Sequence, residues 1–137
     1  MTEGQCLCGD IRYRCDETRA TTAVHCHCKD CRRVTGSGKA TVVMFADDAV
    51  SIEGEFKTYA NRGSDGSHVN RGFCPNCGSQ LFTFVDEIPG HVFIKAGTMD
   101  DSEWLTVDMN CWTSTACGWL PPEPALPGVP RNPVLAD

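Results

Sequence analysis

Ten cysteines in a chain of 137 residues constrain the fold of this sequence more than any other feature. Several are close neighbours: a single residue separates Cys6 from Cys8, and the same spacing recurs between Cys26 and Cys28. Such neighbours cannot easily bond to each other, and they are better placed to share one metal ion. The even count also fits a secreted disulfide scaffold, but we expect no export signal, because the first residues lack a basic region followed by an apolar stretch. We therefore interpret the cysteines as metal ligands in a cytoplasmic protein, where thiols stay reduced.

The composition narrows the classes of function. With 41% hydrophobic residues and no apolar run of the roughly 18 residues that cross a bilayer, the chain is typical of a globular protein without a membrane partner. The formal net charge of −6 and the pI of about 5.1 argue against general nucleic-acid binding, which needs a positive surface for the phosphates. The length fits one domain with a modest core. It leaves the oligomeric state open, a homodimer included.

The hydrophobic pattern predicts a mostly β protein. Short strand-like runs, separated by turn residues, occupy residues 11–15, 40–45, 50–56, 68–73, 80–85 and 91–96. Two stretches favour short helices, residues 28–34 and residues 100–105. We expect a single domain over residues 1–120, followed by a proline-rich C-terminal strap or disordered tail over residues 121–137. Residues 121–133 hold six prolines in thirteen positions, and proline can neither donate to a β-ladder nor continue a helix.

Four cysteines predict a closed zinc site. Cys6 and Cys8 precede a glycine, and so do Cys74 and Cys77, which have the Cys-x-x-Cys spacing of a zinc knuckle. The glycine after the second sulfur allows the tight turn that aims both sulfurs at one point. Four thiolates complete a tetrahedral site and leave no position for a substrate, so this zinc would be structural. It would connect segments that are far apart in the chain.

A second cluster, Cys26, Cys28 and Cys31, places three cysteines within six residues. This spacing can wrap three sulfurs around one face of an ion, and two interpretations remain open on spacing alone. In the first, three ligands and one open position make a catalytic zinc. In the second, the zinc is structural and its fourth ligand comes from elsewhere, the candidates being His25, His27, His68, Cys15, Cys111 and Cys117.

The charge of the second site indicates which chemistry it suits. Zinc with three thiolates carries a net negative charge, so it is a poorer Lewis acid than zinc with three neutral imidazoles. It is better suited to accept a fourth thiol and hold it deprotonated as a nucleophile. Lys29, Arg32 and Arg33 surround the end of the cluster in sequence, and they would offset its charge or bind a carboxylate of the incoming molecule. Solvated side chains on a short helix are the alternative for these three cations.

Four segments together resemble the glutathione-dependent formaldehyde-activating enzyme family, whose domain also occurs in centromere protein V. The segments are GQCLCGDIRY (4–13), CHCKDCRRVTGS (26–37), FCPNCGSQLF (73–82) and IKAGTMDD (94–101). The resemblance implies a β-tent of small antiparallel sheets clasped by zinc. It divides the clustered cysteines between two zinc ions: Cys6, Cys8, Cys74 and Cys77 hold a structural ion, and Cys26, Cys28 and Cys31 hold a catalytic ion. The activity of the family, condensation of formaldehyde with glutathione to S-hydroxymethylglutathione, makes a carbon–sulfur lyase the expected enzyme class.

Three functions therefore compete. The first is a zinc-dependent lyase-type enzyme that holds a thiol, such as glutathione, on the three-cysteine zinc for addition to a small electrophile such as formaldehyde. The second is a non-catalytic zinc module that binds a protein or a nucleic acid, as the centromere relative suggests. The third is a redox enzyme related to methionine sulfoxide reductase B, in which Cys111 or Cys117 would be a reactive thiol. The resemblance favours the first.

Overall fold

The computed structural model describes residues 1–133 and confirms the mostly β prediction. One α-helix, α1, spans Lys29–Thr35 of this part of the chain. The strands are β1 Thr2–Gln5, β2 Arg12–Cys15, β3 Ala20–Cys26, β4 Ala40–Ala46, β5 Val50–Glu53, β6 Lys57–Arg62, β7 His68–Phe73, β8 Gln80–Val85, β9 His91–Lys95 and β10 Met109–Cys111. No helix within residues 1–133 has the length and apolar character that crossing a bilayer requires.

The strands form a small sheet and a large sheet. The small sheet has three strands in the order β1-β2-β5, and both of its pairs are antiparallel. The large sheet has seven strands in the order β10-β3-β4-β9-β8-β7-β6. Its pairs are antiparallel except at one edge, where β10 runs parallel to β3. A parallel pair needs a long connection, and here most of the domain lies between the two strands.

Because side chains alternate along a strand, the two faces of the large sheet differ. One face carries Val43, Ile94 and Phe82, which are neighbours across β4, β9 and β8 and are fully buried. This face packs against the small sheet, where the Tyr13 ring meets Phe82 edge to face with centroids 5.5 Å apart. Burial of each such large side chain contributes roughly 1.5–3 kcal/mol. The main hydrophobic core, which also contains Cys15, therefore lies between the two sheets.

The opposite face of the large sheet positions the functional candidates. Lys95 on β9 is the direct partner of Val42 on β4, and Arg71 on β7 is the partner of Thr83 on β8. Cys26 lies at the end of β3 on the same side. All five side chains line one cavity. This face is thus polar at several positions, although the strands that carry it are central in the sheet.

The C-terminal residues 121–133 run beside β10 as an extended segment, which we call the strap. The amide of Asn110 donates to the Pro127 carbonyl at 2.8 Å, and the amide of Val129 donates to the Asn110 carbonyl at 3.0 Å. A short parallel β-bridge therefore ties the strap to the edge of the large sheet. The remainder of the predicted tail, residues 134–137, lies outside the described residues.

The strand predictions agree with the structure where the apolar pattern was strong. The predicted runs over residues 40–45, 68–73, 80–85 and 91–96 correspond to β4, β7, β8 and β9. The run predicted over residues 50–56 ends at Glu53, because Gly54 turns the chain with a φ of 97°. Four strands were not predicted: β1, β3, β6 and β10. Strand β10 is only three residues long, and its partner β3 is distant in sequence, so no local pattern marks it.

One of the two predicted helices is confirmed and the other is wrong. The helix predicted over residues 28–34 is α1, and it ends where Gly36 adopts the left-handed conformation with a φ of 68°. The segment 100–105 forms a turn instead. Its Asp101 carboxylate accepts a hydrogen bond from the Glu103 amide at 2.9 Å. Such hydrogen bonds between a side chain and the backbone stabilise a turn in competition with a helix. The few apolar residues of this segment did not outweigh that competition.

Candidate metal centres

Four cysteines from both sheets meet in one cluster, which we call the clasp: Cys6, Cys8, Cys74 and Cys77. Their sulfur atoms all lie within 4.8 Å of one another. The Sγ atom of Cys8 lies 3.6 Å from that of Cys6 and 3.7 Å from that of Cys74. Cys6 and Cys8 follow β1 of the small sheet, whereas Cys74 and Cys77 lie between β7 and β8 of the large sheet. The clasp therefore connects the two sheets.

Local turns aim these sulfurs at one point. Gly9 and Gly78, which follow the two cysteine pairs, have φ angles of 84° and 79°, and a side chain there would strain the backbone. The Cys77 amide donates to the Cys74 sulfur at 3.5 Å, as in a zinc knuckle. Four sulfurs at the corners of a tetrahedron, each about 2.3 Å from zinc, are separated by about 3.8 Å. The measured sulfur separations fit that geometry, so the clasp could hold zinc.

The second cluster, Cys26, Cys28 and Cys31, forms where β3 leads into α1. Cys26 ends the strand, Cys28 immediately precedes the helix, and Cys31 lies in its first turn. The three sulfur atoms lie within 4.8 Å of one another. The Cys31 amide donates to the Cys28 sulfur at 3.2 Å, which fixes the turn. Three thiols at this spacing could also hold zinc.

No fourth ligand completes this second cluster among residues 1–133. The candidates from sequence were His25, His27, His68, Cys15, Cys111 and Cys117. Cys111 is the strand partner of Cys26 and lines the same cavity, but its sulfur does not belong to the cluster. The Nδ1 atom of His25 instead pairs with the Thr41 hydroxyl at 2.7 Å, and Cys15 is buried in the main core. The geometry favours the interpretation with three protein ligands.

The thiols of the second cluster differ in their affinity for protons. Hydrogen bonds from the Cys26 and Cys31 thiols, assisted by the Cys31 amide, hold the pKa of Cys28 well below its ordinary value. The hydrogen bond with Cys111 contributes most to a raised pKa at Cys26. By contrast, burial raises the pKa of Cys15 to about 11, as expected for an inert core thiol.

A cavity of about 370 Å³ lies beside the second cluster, and all three of its cysteines line the cavity. The walls are mostly apolar side chains: Val24, Val42, Val69, Val85, Ile88 and Phe93. The strap borders the cavity through Asn132, whose Oδ1 accepts a hydrogen bond from the Trp112 indole at 2.5 Å. The Arg131 guanidinium lies 4.9 Å from the centre of the same indole. A cavity of this size falls within the range of small-molecule sites, about 300–1,000 Å³.

Two buried cations line the same cavity and were not predicted from the sequence. Arg71 and Lys95 are only 6% and 8% exposed. The Arg71 Nε atom donates to Asn61 Oδ1 at 2.9 Å, and the Lys95 Nζ atom donates to the Thr83 hydroxyl at 3.3 Å. Burial lowers the pKa of Lys95, although the nearby thiols of the second cluster, Cys31 above all, act in the opposite direction. In the sequence, Arg71 lies two residues from Val69 and Lys95 two residues from Phe93, so each shares a strand face with an apolar residue of the cavity wall. This spacing alone does not distinguish the two cations from exposed ones.

The three cations predicted to contact a ligand lie elsewhere. Lys29 and Arg33 are exposed on α1, and Arg32 donates to the Thr115 carbonyl at 3.2 Å. None of them is among the residues that line the cavity. Their binding of a carboxylate stays a prediction, and the cations placed at the cavity come from β7 and β9 instead.

Comparison with known proteins agrees with the site and the fold. Residues 1–115 match the family described as "Glutathione-dependent formaldehyde-activating enzyme". A Halomonas elongata protein named "Putative glutathione-dependent formaldehyde-activating enzyme" is 30% identical over 104 residues, which make up 73% of this chain and 66% of that relative. The chain thus spans slightly less than two thirds of the relative's length. A crystal structure of a Rhodobacter sphaeroides protein superposes with a TM-score of 0.58 over 74% of this chain and 90% of that chain. At 18% identity this likeness shows the fold alone.

Proposed function

Because the chain belongs to the glutathione-dependent formaldehyde-activating enzyme family, we propose that it is a zinc-dependent carbon–sulfur lyase-type enzyme. In this proposal it joins a small-molecule thiol, such as glutathione, to a small electrophile such as formaldehyde. The observation that carries the proposal is the cluster of three cysteines without a fourth ligand among residues 1–133, beside a cavity of about 370 Å³. A purely structural zinc site would have no use for either feature.

The two clusters have different roles in this proposal. The clasp would hold a structural zinc, because its four thiols leave no free position. Cys26, Cys28 and Cys31 would hold the catalytic zinc, and the second cluster lies at the cavity wall. Zinc bound by three thiolates supplies a position where an incoming thiol is held in its deprotonated, nucleophilic form.

The residues of the chain contribute position and environment. The rigid junction between β3 and α1, fixed by the Cys31 amide bond to Cys28, holds the three sulfurs in place before a ligand arrives. The apolar part of the wall would reduce the water beside the second cluster, which would compete with the thiol for the electrophile. In the reaction the sulfur forms a bond to the carbonyl carbon, and the carbonyl oxygen takes up a proton. A reducing compartment such as the cytoplasm is part of the proposal, because all ten cysteines are unpaired.

The proposal is tested by zinc content and adduct formation in wild type and in Cys28→Ala. We expect two zinc ions in wild type and one in the variant, because two remaining thiols hold the ion weakly. Formation of S-hydroxymethylglutathione, followed by NMR, should exceed the spontaneous rate in wild type and should fall to that rate in Cys28→Ala. Cys117→Ala is the matched control, since Cys117 is half-buried and belongs to neither cluster. It should keep both zinc ions and the full rate.

Two outcomes would contradict the proposal. If wild type with two zinc ions gave no rate above background with several thiols and aldehydes, the chain would be a non-catalytic zinc module. If Cys28→Ala unfolded as completely as a clasp variant, the second site would be structural. A gel shift on DNA or RNA at physiological salt would favour the module, although the net charge of −6 opposes it.

A further inference from the structure

Of the two buried cations of the cavity, Lys95 lacks an ion-pair partner among residues 1–133, and Arg71 has one long ion pair, with Asp30. Lys95 makes one hydrogen bond, to the Thr83 hydroxyl, and no carboxylate of residues 1–133 lies within ion-pair distance of it. An ammonium group removed from water without a counter-ion is costly. Arg71 has five N–H donors, of which one bonds to Asn61. Asp30 is 3.9 Å from its guanidinium, too far for a hydrogen bond.

The cations are also close to each other. Arg71 is the strand partner of Thr83, and Thr83 is the residue that Lys95 contacts. Two positive charges that share a cavity wall repel each other, and an anion between them removes that repulsion. Neither cation donates a hydrogen bond to a sulfur of the second cluster among the described residues, so their free donors are not occupied by the thiols. The unused donors therefore suit an oxygen anion inside the cavity.

The rest of the cavity defines the other half of the ligand. Much of its wall consists of valine, isoleucine and phenylalanine side chains, which favour an apolar body over a strongly polar one. The carboxylates of Asp30, Asp65 and Glu87 also line the cavity, so an anion is favoured only where it lies against Lys95 and Arg71. We propose that Arg71 and Lys95 form an anion subsite, and that the cavity takes a small carboxylate with an aliphatic body. This inference rests on the proposed function, because it names the class of molecule that brings its thiol or aldehyde to the second cluster. Lys95 and Arg71 act as positioning residues for that molecule.

The inference is tested with a probe that carries no thiol and no aldehyde. Hexanoate and the neutral hexanamide have the same aliphatic body, and calorimetric titration of the zinc-loaded protein compares their dissociation constants. We expect hexanoate to bind at least about tenfold more tightly, the size of a hydrogen bond to a charged group. Lys95→Met keeps the chain length without the charge, and it should abolish that preference. Lys95→Arg should restore most of it, and Lys57→Met, at an exposed position of β6 outside the cavity, should change nothing.

Three results would overturn the inference. Equal affinity of wild type for hexanoate and hexanamide would show that no anion subsite exists, whatever the folding of the variants. An unchanged hexanoate preference in Lys95→Met would remove Lys95 from the subsite. A lower zinc content in Lys95→Met with unchanged hexanoate affinity would show that the cation serves the thiolates instead. Adduct formation from 2-mercaptoethanol and formaldehyde, both uncharged, separates this inference from the proposed function: it should persist in wild type even if hexanoate does not bind.

Discussion

Replacement of Cys74 by alanine should destabilise the protein far more than replacement of any cysteine outside the metal clusters. Cys74 is fully buried, and its sulfur lies 3.7 Å from that of Cys8 on the other sheet. Its loss leaves the clasp with three ligands. Among the described residues, the clasp is the only cluster of thiols that joins the two sheets. The matched control is Cys15→Ala, which removes an equally buried sulfur from the main core without touching a cluster.

The expected magnitude follows from the role of the clasp. Structural zinc contributes about 10–16 kcal/mol of apparent binding free energy in small domains. Loss of one ligand of four therefore removes at least roughly 2.5–4 kcal/mol, and loss of the ion itself removes more. Loss of a buried side chain adds about 1 kcal/mol in either variant. The total, at least about 3.5–5 kcal/mol, is a large share of the roughly 5–15 kcal/mol that holds a domain together. At about 4 °C per kcal/mol, Cys74→Ala should melt at least about 15 °C lower, against a few degrees for Cys15→Ala.

Differential scanning calorimetry and zinc content decide this prediction together. Cys74→Ala should lose the structural zinc along with its stability, whereas Cys15→Ala should keep both zinc ions. Cys28→Ala should lose one zinc and retain a cooperative transition, because the second cluster lies outside the main core. Equal falls in melting temperature for Cys74→Ala and Cys15→Ala, with unchanged zinc content in both, would refute the reasoning that the clasp joins the sheets through a metal.

Two further predictions concern stability away from the metal clusters. Gly4→Ala should lower the free energy of unfolding by about 1–3 kcal/mol, because the added Cβ atom would lie 2.3 Å from the Tyr13 ring. Gly97→Ala, with open space around the added atom, is the control, and it should leave the melting temperature nearly unchanged. The hydrogen bond from the Ser67 hydroxyl lowers the pKa of Asp65 in the folded protein. The folded state is therefore stabilised above the normal pKa of a carboxyl group, and this stabilisation is lost as the pH falls through the lowered pKa of Asp65. In urea unfolding, Asp65→Asn should therefore have a lower free energy of unfolding than wild type at pH 7, and the difference should shrink at acid pH. An equal difference at both pH values would contradict this prediction.

Local features of the sequence were sufficient for the metal clusters and for the strands with a clear apolar pattern. The four cysteines of the clasp were identifiable because each pair lies within a single turn, where spacing alone sets the direction of the sulfurs. The glycines at positions 9 and 78 were informative for the same reason, and both adopt the left-handed conformation. The helix expected at residues 100–105 was wrong because a single side chain, Asp101, provides a competing hydrogen bond that a periodic pattern does not register.

The sequence by itself determined which cysteines could bind metal, because thiol chemistry and short-range spacing belong to the local chain. Only the tertiary structure decided what surrounds the second cluster. Arg71 and Lys95 come from strands β7 and β9, and their burial depends on which face of each strand turns toward the cavity. Pairing register sets that face, and register is fixed by contacts between strands rather than by the residues of one strand. The same dependence explains why Lys29, Arg32 and Arg33 were predicted from the sequence to contact a ligand, although none of them lines the cavity.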